Sequence, residues 1–143
     1  MKEKRIGIEI RILANLICRC LNELGFNEEH NGLTGPQGLV LGYLYDHQDK
    51  DIFQKDIEAT FNIRRSTATG LLQCLEGNGF VKRVSVDYDA LLKKIVLTTK
   101  AHEFKELLES HIQKMEEILV KDLEPQEVDD LIRIIGKIKK NLE

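Results

Sequence analysis

The fold is decided by residues 62–86, which read NIRRSTATGLLQCLEGNGFVKRVSV. The first two residues predict a turn, and residues 64–76 predict a helix. The apolar face of that helix is made of Leu71, Leu72 and Leu75. The helix ends at Gly77-Asn78-Gly79, because glycine and asparagine favour helix termination. The pattern then changes to β-branched residues at alternate positions, Val84 and Val86, so a strand follows the helix.

Two further helices are predicted upstream of this stretch. Thr34-Gly35-Pro36-Gln37 fits a capping box, in which the threonine and glutamine side chains bond the first free backbone N–H groups. The helix that follows runs to about Tyr45 and is expected to bury Leu39, Val40, Leu41 and Leu44. Asp51-Ile52-Phe53-Gln54 is similar to a second capping box and opens a short helix through Thr60.

A β-hairpin is predicted downstream of the same stretch. Ile95 and Leu97 alternate in a return strand, and residues 87–92 form a turn-forming segment between the two strands. Helix, short helix, turn, helix and hairpin is the order of a winged helix-turn-helix. The sequence therefore predicts a mainly α fold with a small β-hairpin wing, in a lobe over residues 34–98.

Both ends of the chain predict amphipathic helices, at residues 5–24 and 99–142. The first carries apolar residues every three or four positions, at Ile6, Ile10, Leu13, Ile17, Cys20 and Leu24. The second region divides into a helix over residues 99–120 and a helix that opens at Pro125. The last helix has a wide apolar stripe that contains Val128, Leu131, Ile132, Ile134, Ile135, Ile138 and Leu142. Such helices at both ends of a short chain predict a homodimer.

Composition excludes several other classes of protein. The chain has 143 residues, 42% hydrophobic and 31% charged, which fits one domain and not a disordered chain. No apolar run approaches a membrane span and no signal-peptide core follows the start, so we expect a cytoplasmic protein without a membrane partner. Phosphate-binding, dinucleotide and nucleophile-elbow motifs are all missing from the sequence, so it predicts neither an enzyme nor a cofactor.

A net charge of −3 by itself disfavours binding to nucleic acid, but the distribution of the charges matters more than their sum. Residues 34–98 carry eight basic and eight acidic side chains, and the surplus acid lies in residues 99–143. The lobe itself is therefore neutral. That balance predicts modest, salt-sensitive binding to nucleic acid.

The polar face of the helix at residues 64–76 fits double-stranded DNA. The guanidinium groups of Arg64 and Arg65 can bond phosphate or the edge of guanine. Hydroxyl groups of Ser66, Thr67 and Thr69 can bond phosphates near the helix N-terminus, where the helix dipole also favours an anion.

At these residues the sequence resembles the MarR family of bacterial transcription regulators. The resemblance covers nearly the whole chain and is carried by several motifs in the right order. They are Leu33-Thr34 with Gln37, Phe53-Gln54-Lys55-Asp56-Ile57, residues 62–69 with 71–76, Gly79-Phe80-Val81-Lys82-Arg83, and Lys93-Lys94-Ile95-Val96-Leu97-Thr98. Residues 1–143 then form a single domain of this type.

The resemblance implies a homodimer that binds a palindromic operator, represses transcription and is released by a small-molecule effector. It makes Arg64, Arg65, Ser66, Thr67 and Thr69 the major-groove or phosphate contacts. Lys93 and Lys94 become contacts at the base of the wing, and since they alternate along a strand only one of them faces DNA. Candidate wall residues of the effector pocket are Ile12, Leu16, Leu39 and Tyr43, although apolar helix faces of this kind are usually core.

Two positions depart from the family pattern. Gly70 stands where many members carry a basic residue, and Leu91 stands where the wing tip usually carries an arginine that enters the minor groove. We therefore expect weaker or less selective contact by the wing, and we expect Leu91→Arg to tighten binding and steepen its salt dependence.

Other functions stay open at this point. The neutral lobe fits a winged helix that binds another protein and not DNA. A redox-responsive regulator of the same fold would use Cys18, which lies beside Arg19 and off the apolar stripe. A zinc-responsive regulator would need clustered ligands, but His30, His47, His102 and His111 have no metal-binding spacing, so no metal site is predicted.

Overall fold

The structure is a computed structural model that describes residues 3–24 and 33–143. Within those ranges the chain forms six helices and one β-hairpin. They are α1 (Ile6–Glu23), α2 (Gly35–Asp46), α3 (Gln54–Phe61), α4 (Arg65–Gly77), β1 (Val81–Val86), β2 (Asp89–Leu97), α5 (Thr99–Val120) and α6 (Pro125–Leu142). The predicted fold class, mainly α with a hairpin wing, is confirmed.

Helix α2 begins as the capping box predicts. The Gln37 N–H donates to Thr34 Oγ1 at 3.4 Å, and the Thr34 N–H donates to Gln37 Oε1 at 3.3 Å. The burial of Val40, Leu41 and Leu44 is also confirmed. The prediction for Leu39 is wrong, since 47% of it is exposed. Each residue turns an α-helix by about 100°, so three consecutive residues cannot share one buried face.

The second predicted capping box lies two residues further along the chain. Helix α3 starts at Gln54, and its first free N–H, that of Phe53, donates to Asp56 Oδ2 at 2.8 Å. The Asp51 carboxylate instead lies 3.4 Å from Lys94 Nζ, in β2. The sequence placed the cap wrongly because this long-range ion pair takes Asp51 away from the helix.

The turn between α3 and α4 fixes the angle between those helices. Asn62 ends α3 in the left-handed region with a φ of 50°, a conformation that asparagine tolerates better than most residues. The N–H of Ile63 donates to the Glu58 carbonyl oxygen at 3.0 Å. Helix α4 then starts at Arg65, one residue later than predicted.

The hairpin has a shorter turn than the sequence predicts. Residues 87–92 were expected to form the turn, but β2 already begins at Asp89, which pairs with Val86. The next pair is Ser85 with Lys93, so β2 carries three additional residues at this point. Such a bulge bends the strand and displaces its side chains from the regular ladder. Because of the bulge, apolar and polar residues do not alternate at the start of β2, so the sequence pattern does not show where this strand begins.

The wing is fixed to the start of α5 by a polar cluster. The Thr98 hydroxyl donates to the carbonyl oxygens of Gly79 at 2.6 Å and Phe80 at 3.2 Å. Lys100 Nζ donates to the Asn78 carbonyl oxygen at 2.7 Å and lies 4.7 Å from the centre of the Phe80 ring. These bonds tie the end of α4 to the residues where β2 passes into α5.

The core of the lobe lies beneath α2, α3 and α4. Its largest fully buried side chains are Phe80, Leu33, Leu41, Ile57, Leu72, Leu75, Leu108 and Val40. Phe80 also packs against Phe104, with ring centres 5.1 Å apart. Burial of apolar surface contributes about 25 cal/mol per Å², so these side chains stabilise the fold.

The chain divides into two compact units, Met1–His111 and Ile112–Glu143. The second unit contains the end of α5 and α6, which opens with the Glu124 N–H donating to Glu127 Oε1 at 2.9 Å. Helix α6 buries none of its residues. Helix α1, in the first unit, buries only Leu21. Among the described residues, no helix combines the length and apolar character needed to cross a membrane.

Candidate nucleic-acid interface

A groove of about 640 Å³ separates α4 from the wing. Its walls are supplied by the start of α3, the first turns of α4 and the two strands of the wing. The polar and apolar side chains that line it include Gln54, Lys55, Glu58, Arg65, Thr69, Arg83, Leu91 and Lys93. Residues from three separate parts of the sequence therefore meet in one groove.

The groove is cationic although the lobe is neutral. Lys55, Arg65, Arg83 and Lys93 line it, against the single acidic side chain of Glu58. Clustering like charges in a groove raises the local potential for an anion, whatever the net charge of the domain. Sequence reasoning missed Lys55 and Arg83, because only the fold brings them beside α4.

The N-terminus of α4 is open to solvent. Arg64 is its N-cap residue and makes no side-chain cap bond, and Arg65, Ser66 and Thr67 are all exposed. The first backbone N–H groups of a helix lack partners inside it, so an uncapped N-terminus suits a phosphate. Both guanidinium groups and two of the three hydroxyl groups predicted from the sequence therefore lie at one exposed helix end.

Thr69 is held by a residue that sequence reasoning did not select. The side-chain amide of Gln54 donates to Thr69 Oγ1 at 2.9 Å and to the Arg65 carbonyl oxygen at 3.4 Å. This pair of bonds fastens α3 to the first turns of α4. The Thr69 hydroxyl accepts from Gln54, so its own hydrogen can still be donated to a phosphate.

Lys93 and Lys94 lie on opposite sides of the wing. Lys93 is exposed in the groove beside α4. Lys94 is bonded to Asp51 and lines a different cleft, with His47 and His102. Arg83 has a partner too, since its Nε lies 3.4 Å from Glu76 Oε2. Such partly exposed pairs contribute at most about 1 kcal/mol, so Arg83 can exchange Glu76 for another anion.

The two departures from the family pattern are both accessible. Leu91 is 93% exposed at the tip of the wing. Gly70 lies on the exposed face of α4 with Ser66 and Thr67, and a Cβ built there meets no atom within 4 Å. Neither residue is therefore required by packing.

The predicted effector residues are not gathered in one cavity wall. Ile12 and Leu16 lie together on an open apolar surface of α1. Tyr43 packs in the lobe, with its ring centre 4.1 Å from His47 and 5.9 Å from Phe61. The alternative that these residues are core is wrong for Ile12, Leu16 and Leu39, which are about half exposed in the single chain.

The thiols and histidines of the described part of the chain do not converge on a metal site. Cys18 and Cys74 are exposed, and Cys20 is half-buried. Within residues 3–24 and 33–143, no three His, Cys, Asp or Glu side chains converge as a metal site would require. His30 lies outside the described residues.

A helix-turn-helix whose second helix lies beside a cationic hairpin defines the winged helix-turn-helix class. Residues 31–90 match the sequence model of the MarR family. That match spans 60 of the 143 residues, so the winged lobe of this chain is similar to those of the MarR transcription regulators.

Two bacterial transcription regulators and one protein–DNA complex are similar to most of this chain. The HTH-type transcriptional regulator YybA of Bacillus subtilis (strain 168) is 22% identical over 128 residues, which span 90% of this chain and 85% of YybA. The HTH-type transcriptional repressor YetL of the same organism is 26% identical over 112 residues, 78% of this chain and 66% of YetL. The crystal structure of the S. aureus MepR–DNA complex superposes with a TM-score of 0.87 and 27% identity, covering 99% of this chain and 100% of that one.

Proposed function

We propose that this chain binds double-stranded DNA sequence-specifically as a homodimer and represses transcription. The observation that carries the proposal is the cationic groove in which Arg65 and Thr69 of α4 face Lys93 of the wing. That arrangement offers one helix to the major groove and one hairpin to the flanking backbone. The similarity to a MepR–DNA complex supports DNA as the partner, and the similarity to the repressor YetL supports repression.

Each side chain has a proposed role. Arg64 and Arg65 bond guanine or phosphate, while Ser66, Thr67 and Thr69 bond phosphates at the α4 N-terminus. Lys93 contacts the backbone beside the wing, together with Lys55 and Arg83. Lys94 is left out of this set because it lines a different cleft, and we assign it to holding the wing against the loop before α3 through its ion pair with Asp51.

The homodimer is supported by apolar faces that the single chain leaves uncovered. In α6, Leu131, Ile132, Ile134 and Ile135 are exposed, and so are Ile6, Ile10 and Leu13 in α1. Exposed patches of this kind mark contact surfaces. We therefore assign residues 34–98 to DNA and residues 5–24 and 99–142 to dimerisation. A twofold dimer presents two α4 helices, which requires a palindromic operator.

Release by a small molecule is the remaining part of the proposal. The open apolar surface at Ile12 and Leu16 supports a hydrophobic effector that binds between α1 and the rest of the dimer.

Selection of bound sites from a randomised duplex pool tests the proposal. We expect an enriched palindrome with half-sites about one helical turn apart, bound with an affinity that falls linearly in log salt. A protein-interaction module would enrich no sequence and would show no salt-sensitive binding, and that result would overturn the proposal.

A further inference from the structure

The tip of the wing presents an apolar side chain where DNA contact would favour a charge. Leu91 is 93% exposed and Tyr88 is 71% exposed, and both lie at the end of the hairpin. A single exposed leucine is common on protein surfaces and by itself indicates nothing. Leu91 differs because its backbone is held by a specific bond and because its side chain lines the groove beside α4.

Asp89 holds the backbone of Leu91. The Leu91 N–H donates to Asp89 Oδ1 at 2.9 Å, and bonds of this type fix the conformation of a turn. The three additional residues of β2 displace residues 90–92 from the ladder. The carboxylate of Asp89 is used inside the tip, so Leu91 is presented in a defined position.

Leu91 also lies on the side of the lobe that the proposed function assigns to DNA. It lines the same groove as Arg65, Thr69 and Lys93. Contact of Lys93 with a phosphate would bring the tip of the wing to the adjacent groove of the duplex. An apolar side chain there cannot exploit the negative potential of the minor groove as an arginine does.

We propose that Leu91 is a minor-groove wedge that enters between base pairs and opens the step. This inference rests on the proposed function. Apolar wedges partly unstack the bases they enter and kink the duplex. Pyrimidine–purine steps such as TA unstack easily, whereas A-tracts are stiff. Leu91 thereby makes the protein select its sites by their deformability, at positions where it makes no base-specific hydrogen bond.

Two duplexes of about 30 base pairs test the wedge, one of alternating TA sequence and one of oligo(dA)·oligo(dT). Both contain only A·T pairs, so their minor grooves offer the same hydrogen-bonding atoms, but only the first is rich in flexible TA steps. Each carries the same number of 2-aminopurines in place of adenine, so that the additional minor-groove amino groups are matched. This base fluoresces more strongly when it is unstacked. Binding is followed by anisotropy at low salt, where contacts with phosphates are sufficient to hold the cationic groove of the protein on a duplex of any sequence.

The wild-type protein is expected to raise the 2-aminopurine fluorescence of the alternating duplex about twofold or more. It should also bind that duplex about three- to tenfold more tightly than the A-tract. Leu91→Ala should bind both duplexes without the fluorescence rise and without the preference. Leu91→Arg should bind with a steeper salt dependence and prefer the A-tract, because a narrow minor groove attracts arginine.

Tyr88→Ala is the matched control, since Tyr88 is also exposed at the tip but does not line the groove. It should keep the rise and the preference. The wedge is overturned if Leu91→Ala keeps the fluorescence rise and the duplex preference of the wild type. It is also overturned if Tyr88→Ala loses both to the same extent as Leu91→Ala. Wild-type binding without a fluorescence rise overturns the wedge alone. Failure of the wild type to bind either duplex overturns the proposed function and the wedge with it.

Discussion

Gly70 offers a test of which side of α4 faces DNA. It lies in the middle of α4 on the face that carries Ser66 and Thr67, and a Cβ there meets nothing within 4 Å. Gly70→Lys can therefore be made without a steric cost. If that face meets the duplex, each protomer gains one cation at the interface and a dimer gains two.

The effects of Gly70→Lys on the stability of the protein and on the salt dependence of DNA binding can both be estimated. Replacing glycine by lysine inside a helix stabilises it by about 0.7 kcal/mol, since glycine loses more backbone entropy on folding. Two additional phosphate contacts steepen the dependence of log affinity on log salt by about 1.8. Between 50 and 200 mM salt, the variant should lose about twelvefold more affinity than the wild type.

The assay is anisotropy of a labelled operator duplex across that salt range, with stability measured by urea unfolding. Gly70→Gln is the matched control, because it brings a similar helix propensity without a charge. Gly70→Gln should show the gain in stability and keep the wild-type salt slope. If Gly70→Lys gains stability and its slope also stays at the wild-type value, the exposed face of α4 does not meet DNA and the assigned orientation is wrong.

Three further predictions concern contact, assembly and packing. Arg65→Ala should weaken operator binding by about 1–3 kcal/mol and relax specificity at one position if Arg65 contacts a base; equal weakening on all sequences would show a phosphate contact instead. The double variant Leu131→Asp with Ile135→Asp should sediment as a monomer and lose operator binding, and tight binding by that variant would refute the link between dimer and operator. Burial of its hydroxyl, with a smaller effect of the Glu109 charge, raises the pKa of Tyr45 to about 12. This folded-state pKa lies above the unfolded value of about 10. The contribution of Tyr45 to the free energy of unfolding should therefore be complete below pH 10 and decrease between pH 10 and 12. Tyr45→Phe should remove that fall, although it also loses the hydrogen bond to the Ala101 carbonyl oxygen; an unchanged fall would show that another group titrates.

The helices and their order could be predicted because their signals are local. The Thr34–Gln37 box needs only residues three apart, and the apolar spacing of residues 99–120 predicts the bounds of α5 that the structure has. Leu39 shows the limit of this reasoning. A run of apolar residues indicates a helix but does not say which of them faces the core.

The groove could not be predicted, because its contacts join residues far apart in the sequence. Gln54 reaches Thr69 across the turn, and outside the groove Asp51 reaches Lys94 in the wing. Each bond depends on the angle between α3 and α4 or on the register of β2. The bulge after Ser85 sets the register of β2, and no periodic pattern in the sequence predicts this bulge.

The neutral charge of the lobe is explained by where its acidic residues lie. Asp51 and Glu76 are paired with Lys94 and Arg83, so two of the eight acidic charges of residues 34–98 are offset by ion pairs within the lobe. The cations of the proposed contact set that form no ion pair within the described part of the chain are Arg64, Arg65, Lys55 and Lys93, which gives about eight for a dimer. Complete neutralisation of eight phosphates would give a salt slope of about −7, and Glu58 in the groove should reduce it. A lobe with no net charge can therefore bind DNA with strong salt dependence, because the charges that face the duplex, and not their sum over the domain, determine the slope.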